Sequence, residues 1–265
     1  MNINLSIISV TLNDLSGLKR TYESILPLLY DKNATVEWVV IDGDSTDGTK
    51  EYIAKYNHPN IKWLSEPDNG MYDAMNKGIK LASGKYLLFL NAGDYLSKEG
   101  QVELKNQLPD HHFIFYNLKK VDRNLKPVSW TLPKSFLKDL SRHAAIPHQS
   151  TLIHKDTFKQ YGLYDVSFQY FGDYDFFFRV LNQSNENVSY TCYFDKKISV
   201  FVLDGITSKY QYSIKLLREC NDIQRKYFGR ISVSNALSYM IKYLISCIPF
   251  HGDFINVLRH LQKNR

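Results

Sequence analysis

The chain has 265 residues, 44% of them hydrophobic and 23% charged, with a formal net charge of +6. This is the composition of a soluble globular protein with ample length for a core, arranged as one large domain or two fused halves. Cys192, Cys220 and Cys247 are too few and too widely spaced for a disulfide framework or a zinc site, no basic-then-apolar leader opens the chain, and no apolar run is long enough to span a bilayer.

Leu5–Leu12 is rich in β-branched residues and predicts a first strand, followed by a helix capped by Asn13 or Asp14 with Leu18, Tyr22, Ile25 and Leu29 at helical spacing. Val36–Ile41 predicts a second strand that runs into Asp42-Gly43-Asp44-Ser45-Thr46-Asp47-Gly48-Thr49, a loop dense in turn formers, and then a short helix to about Tyr56. Ile61–Leu64 is a third strand, ended by Glu66-Pro67-Asp68-Asn69-Gly70; Met71–Ala82 is a helix and Lys85–Leu90 a fourth strand. Such strand–helix alternation implies a parallel sheet with right-handed crossovers. The fourth strand reads as fully buried, yet its tip is Asn91-Ala92-Gly93-Asp94. A carboxylate at the C-terminal end of a buried strand of an open α/β sheet lies where ligands bind, and suits a hard divalent cation and the diphosphate that cation would hold.

Past Asp94 the rhythm changes. A helix is predicted near Lys98–Leu108, a strand at Phe113–Tyr116, loops and an edge hairpin over Lys119–Pro133, a strand near Ser150–Ile153 and a helix from Gly172 to about Gln183. Two strands are expected around Val188–Phe194 and Ile198–Leu203, and helices from Lys209 to Arg265 with Pro249 as a breaker. The tail 209–265 holds ten Lys/Arg against three acids, so the positive charge belongs there; it suits either an anionic membrane surface or an ordinary solvated face.

Four ordered motifs now stand at strand ends: Ser9-Val10-Thr11-Leu12-Asn13, Ile41–Thr49, Ser65–Gly78 and Leu90–Asp94. Together they resemble the nucleotide-binding half of the family 2 inverting glycosyltransferases, and Pro147-His148-Gln149 with Asp173-Tyr174-Asp175 resembles the bacterial branch that builds capsule, colanic-acid and O-antigen polysaccharides. The resemblance covers roughly residues 5–208 and implies a GT-A (Rossmann-like) α/β single domain with a mostly parallel central sheet, plus a C-terminal helical extension. It divides the chain into a nucleotide-sugar half (1–97), an acceptor half with the catalytic base (98–208) and a basic helical extension (209–265). The implied activity is transfer of a hexose or N-acetylhexosamine from a nucleotide sugar, UDP-linked, to a surface-polysaccharide or lipid-linked glycan, in the cytoplasm or at the inner face of its membrane, with no nucleic-acid partner.

On this resemblance Asp94 holds Mn²⁺ or Mg²⁺ and Asp173 is the base that takes the acceptor's proton. Thr11, Asn13, Asp42, Asp44, Asn69 and Asn91 meet the nucleotide or the ribose, with the choice between Asp42 and Asp44 for the base left open, and His148 serves the acceptor or the diphosphate. Thr207 and Ser208, in Asp204–Ser208, would cover the diphosphate. Each residue also has a structural reading: Asp94 and Asp173 as helix caps and Asp47 as a cap, while Tyr72, Asp73 and Asn76 open the helix after Gly70, and Asp73 and Asn76, which share a helix face, either hold the sugar or the ribose or support loop backbone. Two departures stand out. Asn91 and Gly93 replace acids of the usual Asp-x-Asp motif, which also motivates a non-catalytic binding homologue, and Gly43 takes the second place of the second-strand motif. A dinucleotide-dependent oxidoreductase would need G-x-G-x-x-G after the first strand, and Thr11–Gly17 has one glycine; no P-loop pattern is present either.

Overall fold

The computed structural model describes residues 3–31, 35–122, 124–128, 146–183, 191–203 and 213–229, with positions 231, 237, 240 and 241 beyond them. The expected α/β architecture is observed. The first half alternates β1 (Leu5–Thr11), α1 (Leu15–Leu29), β2 (Val36–Asp42), α2 (Thr49–Ile53), β3 (Ile61–Ser65), α3 (Met71–Leu81) and β4 (Tyr86–Phe89). β3, β2, β1 and β4 lie side by side in that order, all parallel. Consecutive residues of these strands alternate between two cores. Ile8, Val39, Ile41, Leu87 and Phe89 pack on one face with residues of α3, while Ile7, Trp38, Val40 and Leu88 pack on the other with residues of α1. Burial on both faces is why the strands read as continuous apolar runs.

The second half supplies β5 (Tyr95–Leu96), α4 (Lys98–Glu103), β6 (Phe113–Val121), β7 (Pro127–Val128), a 3-10 turn at His148–Ser150, β8 (Thr151–His154), α5 (Lys155–Tyr161), α6 (Gly172–Gln183), β9 (Thr191–Val202) and α7 (Ser213–Phe228). β8 inserts antiparallel between β4 and β6, and β9 runs parallel to β6, so both halves share one sheet. Several expectations change here. The helix near Lys98–Leu108 ends at Glu103. The two strands expected between 188 and 203 are one strand, β9, whose register against β6 shifts around Asn117. β6 continues through Lys119 and Lys120 into the segment read as loop, and pairs with β7 as the expected edge hairpin. Residues 129–145 (with His143), the Asp204–Ser208 loop and most of 209–265 lie outside the described residues.

α7, assigned from sequence to a C-terminal extension, packs into the body: Leu216, Cys220 and Ile223 join the core on the α6 side, Tyr227 and Phe228 meet the Phe178 ring, and two sets of polar contacts add to them. Asp175 of α6 is fully buried and accepts from Lys226 Nζ at 2.8 Å and Tyr227 Oη at 2.9 Å. Glu219 accepts from the backbone N–H groups of Gln169 (2.8 Å), Tyr170 (2.8 Å) and Phe171 (3.1 Å), the residues that lead into α6.

Candidate active site

Strand order reverses at β1, which has β2 on one side and β4 on the other. The crevice beyond the C-terminal ends of β1 and β4 is therefore the switch point at which such sheets bind ligands. A cleft of about 920 Å³ opens there, lined among others by Thr11, Asn69, Asn91, Asp94, His148 and Asp173. That volume suits a ligand of nucleotide-sugar size.

Asp94 ends a turn closed by its own N–H on the carbonyl of Asn91 at 3.0 Å. Thr21 of α1 fixes this turn: its hydroxyl donates to the Asp94 carbonyl at 2.6 Å and accepts from Gly93 N–H at 3.2 Å. Asp94 is 6% exposed, and its Oδ1 accepts from Val202 N–H at 3.1 Å. Burial pushes its carboxyl up to about 7, against the opposing pull of Val202 N–H, the nearby His148 and Gln149. Beside it, Asn91 Oδ1 is buried without a hydrogen-bond partner. One carboxylate and one uncommitted amide oxygen form a hard, all-oxygen donor set. That fits Mn²⁺ or Mg²⁺ bound chiefly through substrate phosphates and water. Among the described residues no three His, Cys, Asp or Glu side chains gather as a protein-only metal cage.

Near the end of β1, Thr11 Oγ1 is buried, unpartnered and at the cleft wall. Asn69 is exposed on the same wall, with its N–H bonded to Asp73 Oδ2 at 3.0 Å. Asn13, in contrast, has a left-handed backbone (φ 51°) and turns its Oδ1 to Thr46 N–H at 2.8 Å, while Ser45 Oγ accepts from its own N–H. It joins two loops. Asp42 differs from expectation in the same way. It is wholly buried, and its carboxylate accepts from Ser45 Oγ at 2.5 Å, Ser45 N–H at 3.2 Å and Ser65 Oγ at 2.7 Å. These three bonds tie it into the loop, and it is not among the residues that line the cleft. Asp44 is exposed on that loop with φ 65°, also off the cleft wall.

The second-strand departure has a physical counterpart. A Cβ on Gly43 would stand 2.7 Å from Asp68 Oδ2, so a carboxylate from the loop after β3 occupies the space that a side chain at the second motif place would need. Asp68 itself lines the cleft. Asp47 caps, accepting from Leu15 N–H and from Thr49. Asp14 is the cap of α1. Asn76 exchanges two hydrogen bonds with the backbone of Tyr164, at 2.9 and 3.0 Å, which makes it a brace.

Across the cleft, Asp173 stands in the first turn of α6. Its Oδ2 meets His148 Nδ1 at 2.8 Å; its Oδ1 accepts from Tyr72 Oη at 3.0 Å and Tyr174 N–H at 2.9 Å. Burial first, then the adjacent Asp173, keeps the Tyr72 phenol well above its ordinary value and hence protonated. Gly172 permits this packing, since a Cβ there would lie 2.8 Å from the Tyr72 ring. His148 Nε2 is buried and unpartnered. Asp175 projects away from Asp173 into the α7 contact, as the 100° step of a helix requires. Thr21 and Glu219, which fix backbone from a distance, carry no sequence signal of that role, and Tyr72, which stands with Asp73 and Asn76 at the start of the helix after Gly70, turns out to hold Asp173.

A family model described as "Glycosyl transferase family 2" matches residues 6–180. An uncharacterized glycosyltransferase of Mycobacterium tuberculosis is 31% identical over 240 residues, covering 88% of this chain and 88% of its own length. A PGL/p-HBAD biosynthesis glycosyltransferase of Mycobacterium bovis is 31% identical over 165 residues, which is 58% of this chain and 63% of the relative. Among solved structures, S. aureus TarS in complex with UDP-GlcNAc superposes with a TM-score of 0.64 at 17% identity, covering 91% of this chain and 72% of that one. A mannosyltransferase from Pyrobaculum calidifontis in complex with GDP-Man and Mn²⁺ gives 0.61 at 12% identity, covering 98% and 81%. At these identities the structural likeness is one of fold, and the fold is GT-A.

Proposed function

This chain belongs to glycosyl transferase family 2, and from that premise we propose that it moves a hexose or N-acetylhexosamine from a UDP-linked donor, with inversion, to a bacterial surface-polysaccharide or lipid-linked glycan. The observation that carries the reading is the gathering, in one switch-point cleft, of Asp94, three uncommitted polar atoms (Thr11 Oγ1, Asn91 Oδ1, His148 Nε2) and the Asp173–His148 pair. Buried polar atoms without partners are costly, and a ligand that supplies the partners repays that cost on binding.

Thr11 and Asn69 bind the nucleoside, with Asp68 at hand for the base, while Asn13 and Asp42 hold the loops that shape its seat. Asp94 and Asn91 would hold Mn²⁺ or Mg²⁺, which when bound neutralises the charge that gathers on the departing diphosphate. The acceptor hydroxyl attacks the anomeric carbon on the face opposite the diphosphate, and the Asp173–His148 pair receives its proton. The TarS complex with UDP-GlcNAc and the mannosyltransferase complex with GDP-Man and Mn²⁺ support a nucleotide-sugar donor and a divalent ion. Among the described residues no helix is long and apolar enough to cross a membrane; contact with a bilayer surface through 209–265 is proposed from the basic charge of that segment.

A thermal-shift series with UDP, with and without Mn²⁺, tests the site. A nucleotide at about 100 times its Kd adds ~2.7 kcal/mol to apparent stability, or about 5–10 °C for a chain of this size. The expected result is an upward shift that needs Mn²⁺ and is lost in Asp94→Ala. A shift indifferent to the ion, or kept in the variant, refutes the assignment of Asp94. Donor binding with no UDP release by any acceptor, water included, would favour the non-catalytic homologue.

A further inference from the structure

A glycosyl acceptor can be neutral or charged, and the cleft wall bears on which. Among the described residues that line it, two are Lys or Arg: Arg20 of α1 and Lys120 of β6, both half-buried. Their places in the fold bring them to one turn. Arg20 precedes Thr21, whose hydroxyl holds the Asp94 turn from one side. Lys120 pairs across the sheet with Phe201, the residue before Val202, whose N–H holds the Asp94 carboxylate from the other. Among the described residues Arg20 has no hydrogen bond or ion pair. The carboxylates of the cleft serve other groups: Asp14 the cap of α1, Asp68 the N–H of Gly70, Asp94 the N–H of Val202, and Asp173 the side chains of His148 and Tyr72. Lys120 Nζ stands over the Phe201 ring, 6.0 Å from its centroid, which holds the ammonium at the wall. A guanidinium fork grips a phosphate through two bonds, and an ammonium adds a point charge beside it.

We propose that Arg20 and Lys120 bind a phosphate group carried by the acceptor, which makes the acceptor a phosphate-bearing glycan and not a neutral one. The inference rests on the glycosyl-transfer reading above. On that reading the donor lies elsewhere in the cleft: its nucleoside is at Thr11 and Asn69, and the charge of its diphosphate is met by the ion at Asp94 and Asn91. Arg20 and Lys120 stand past Asp94. β6 and β9 lie across β1 and β4 from β2 and β3, and α1 reaches the same end of the sheet, where Ser24 Oγ accepts from Leu96 N–H of β5 at 3.0 Å. Two cations match the double charge of a phosphate, where one would suffice for a carboxylate. The phosphate belongs either to a lipid diphosphate carrier or to the glycan itself; the chemistry that Arg20 and Lys120 recognise is the same.

The test is a thermal-shift titration of the chain saturated with UDP and Mn²⁺, with methyl phosphate, glucuronate and glucose as probes, for the wild-type chain, Arg20→Gln, Lys120→Gln and the double variant. Methyl phosphate should add an upward shift to that of UDP, glucuronate a smaller one, and glucose none. Loss of one cation from a half-buried site should weaken methyl phosphate roughly fivefold to tenfold. The double variant should show no shift with it, while every variant keeps the UDP–Mn²⁺ shift and hence its fold. Calorimetry on the UDP–Mn²⁺ complex then separates the two sources. Tighter binding of polyprenyl-diphosphate-linked N-acetylglucosamine in detergent marks a lipid carrier, tighter binding of a soluble phosphorylated oligosaccharide marks a phosphate in the glycan, and either affinity should fall in the double variant.

The inference is overturned if methyl phosphate competes with UDP, which makes the two cations donor ligands, or if its shift survives in the double variant, which puts the phosphate on the bound ion. It is also overturned if glucuronate binds more tightly than methyl phosphate, or if the oligosaccharide binds as well without its phosphate as with it. A wild-type chain that UDP and Mn²⁺ fail to stabilise overturns the glycosyl-transfer reading itself, a result distinct from any of these.

Discussion

Replacing Glu219 by Ala removes the acceptor for three consecutive backbone N–H groups, those of Gln169, Tyr170 and Phe171. The Gln169 bond is exposed, and water can replace it; the other two are partly buried and lose their partner outright. Hydrogen bonds to a charged group contribute roughly 1.5–3 kcal/mol each. Two of them, taken at the low end because Glu219 itself is partly solvated, give a loss of about 3 kcal/mol. For a chain of this size that is a fall in Tm of about 6–12 °C. Asp173 stands two residues past Phe171, so the loosened segment also carries the carboxylate proposed to serve the transfer, and kcat should fall about tenfold with little change in the donor KM. Urea denaturation reads the stability loss as a lower midpoint at unchanged m, and UDP release reads the rate. Glu219→Gln, with one acceptor oxygen in place of two, should fall between the wild-type chain and Glu219→Ala. A stability loss under about 1 kcal/mol for Glu219→Ala, or full activity in it, would refute the claim that α7 supports the active site.

Two further outcomes are expected. Glu37 is buried in β2; burial raises its carboxyl, but Lys62, Ser6 and Ser83 N–H together bring it below its ordinary value. A depressed folded value means that the stabilisation is present at neutral pH and is lost as pH falls through that value. Glu37→Gln should therefore cost about 2 kcal/mol at pH 7, and the gap to wild type should narrow on acidification below the ordinary glutamate range; a gap that holds constant or widens would contradict this. Thr11→Val removes an unpartnered buried hydroxyl. It should leave the ligand-free chain as stable or up to ~1 kcal/mol more so, and weaken UDP binding about fivefold to tenfold. An unchanged UDP affinity by calorimetry would remove Thr11 from the nucleotide site.

The first half of the fold was legible because its strands are buried on both faces and its turns are chemically marked. β1 to β4 and α1 to α3 fall within a residue or two of expectation, apart from α2, which stops at Ile53. The second half was less so. β5 is two residues long and carries no period to detect. α5, seven residues, begins directly at the end of β8 with no turn former to announce it. Lys119 and Lys120 lie in β6 because its far end runs along β9, where Lys119 faces out and Lys120, on the other face, is half-buried at the cleft over the Phe201 ring. Of the residues that line the cleft, Asp94, Thr11, Asn91, His148 and Asp173 were visible as polar residues at places where packing needs none. Asp42 misled because a buried carboxylate with serine donors three and twenty-three residues away looks, in one dimension, like a carboxylate awaiting a ligand. Thr21 and Glu219 were invisible for the reverse reason: each acts on backbone far off in sequence, and a lone hydroxyl or acid on a helix gives no sign of that.

α3 begins beside Asn69 and Gly70 on the cleft wall, grips Asp173 and the Tyr170 carbonyl through Tyr72, and clasps Tyr164 through Asn76. One helix thus works as a tie-rod across the cleft, and the place of its first turn fixes where the Asp173 carboxylate stands.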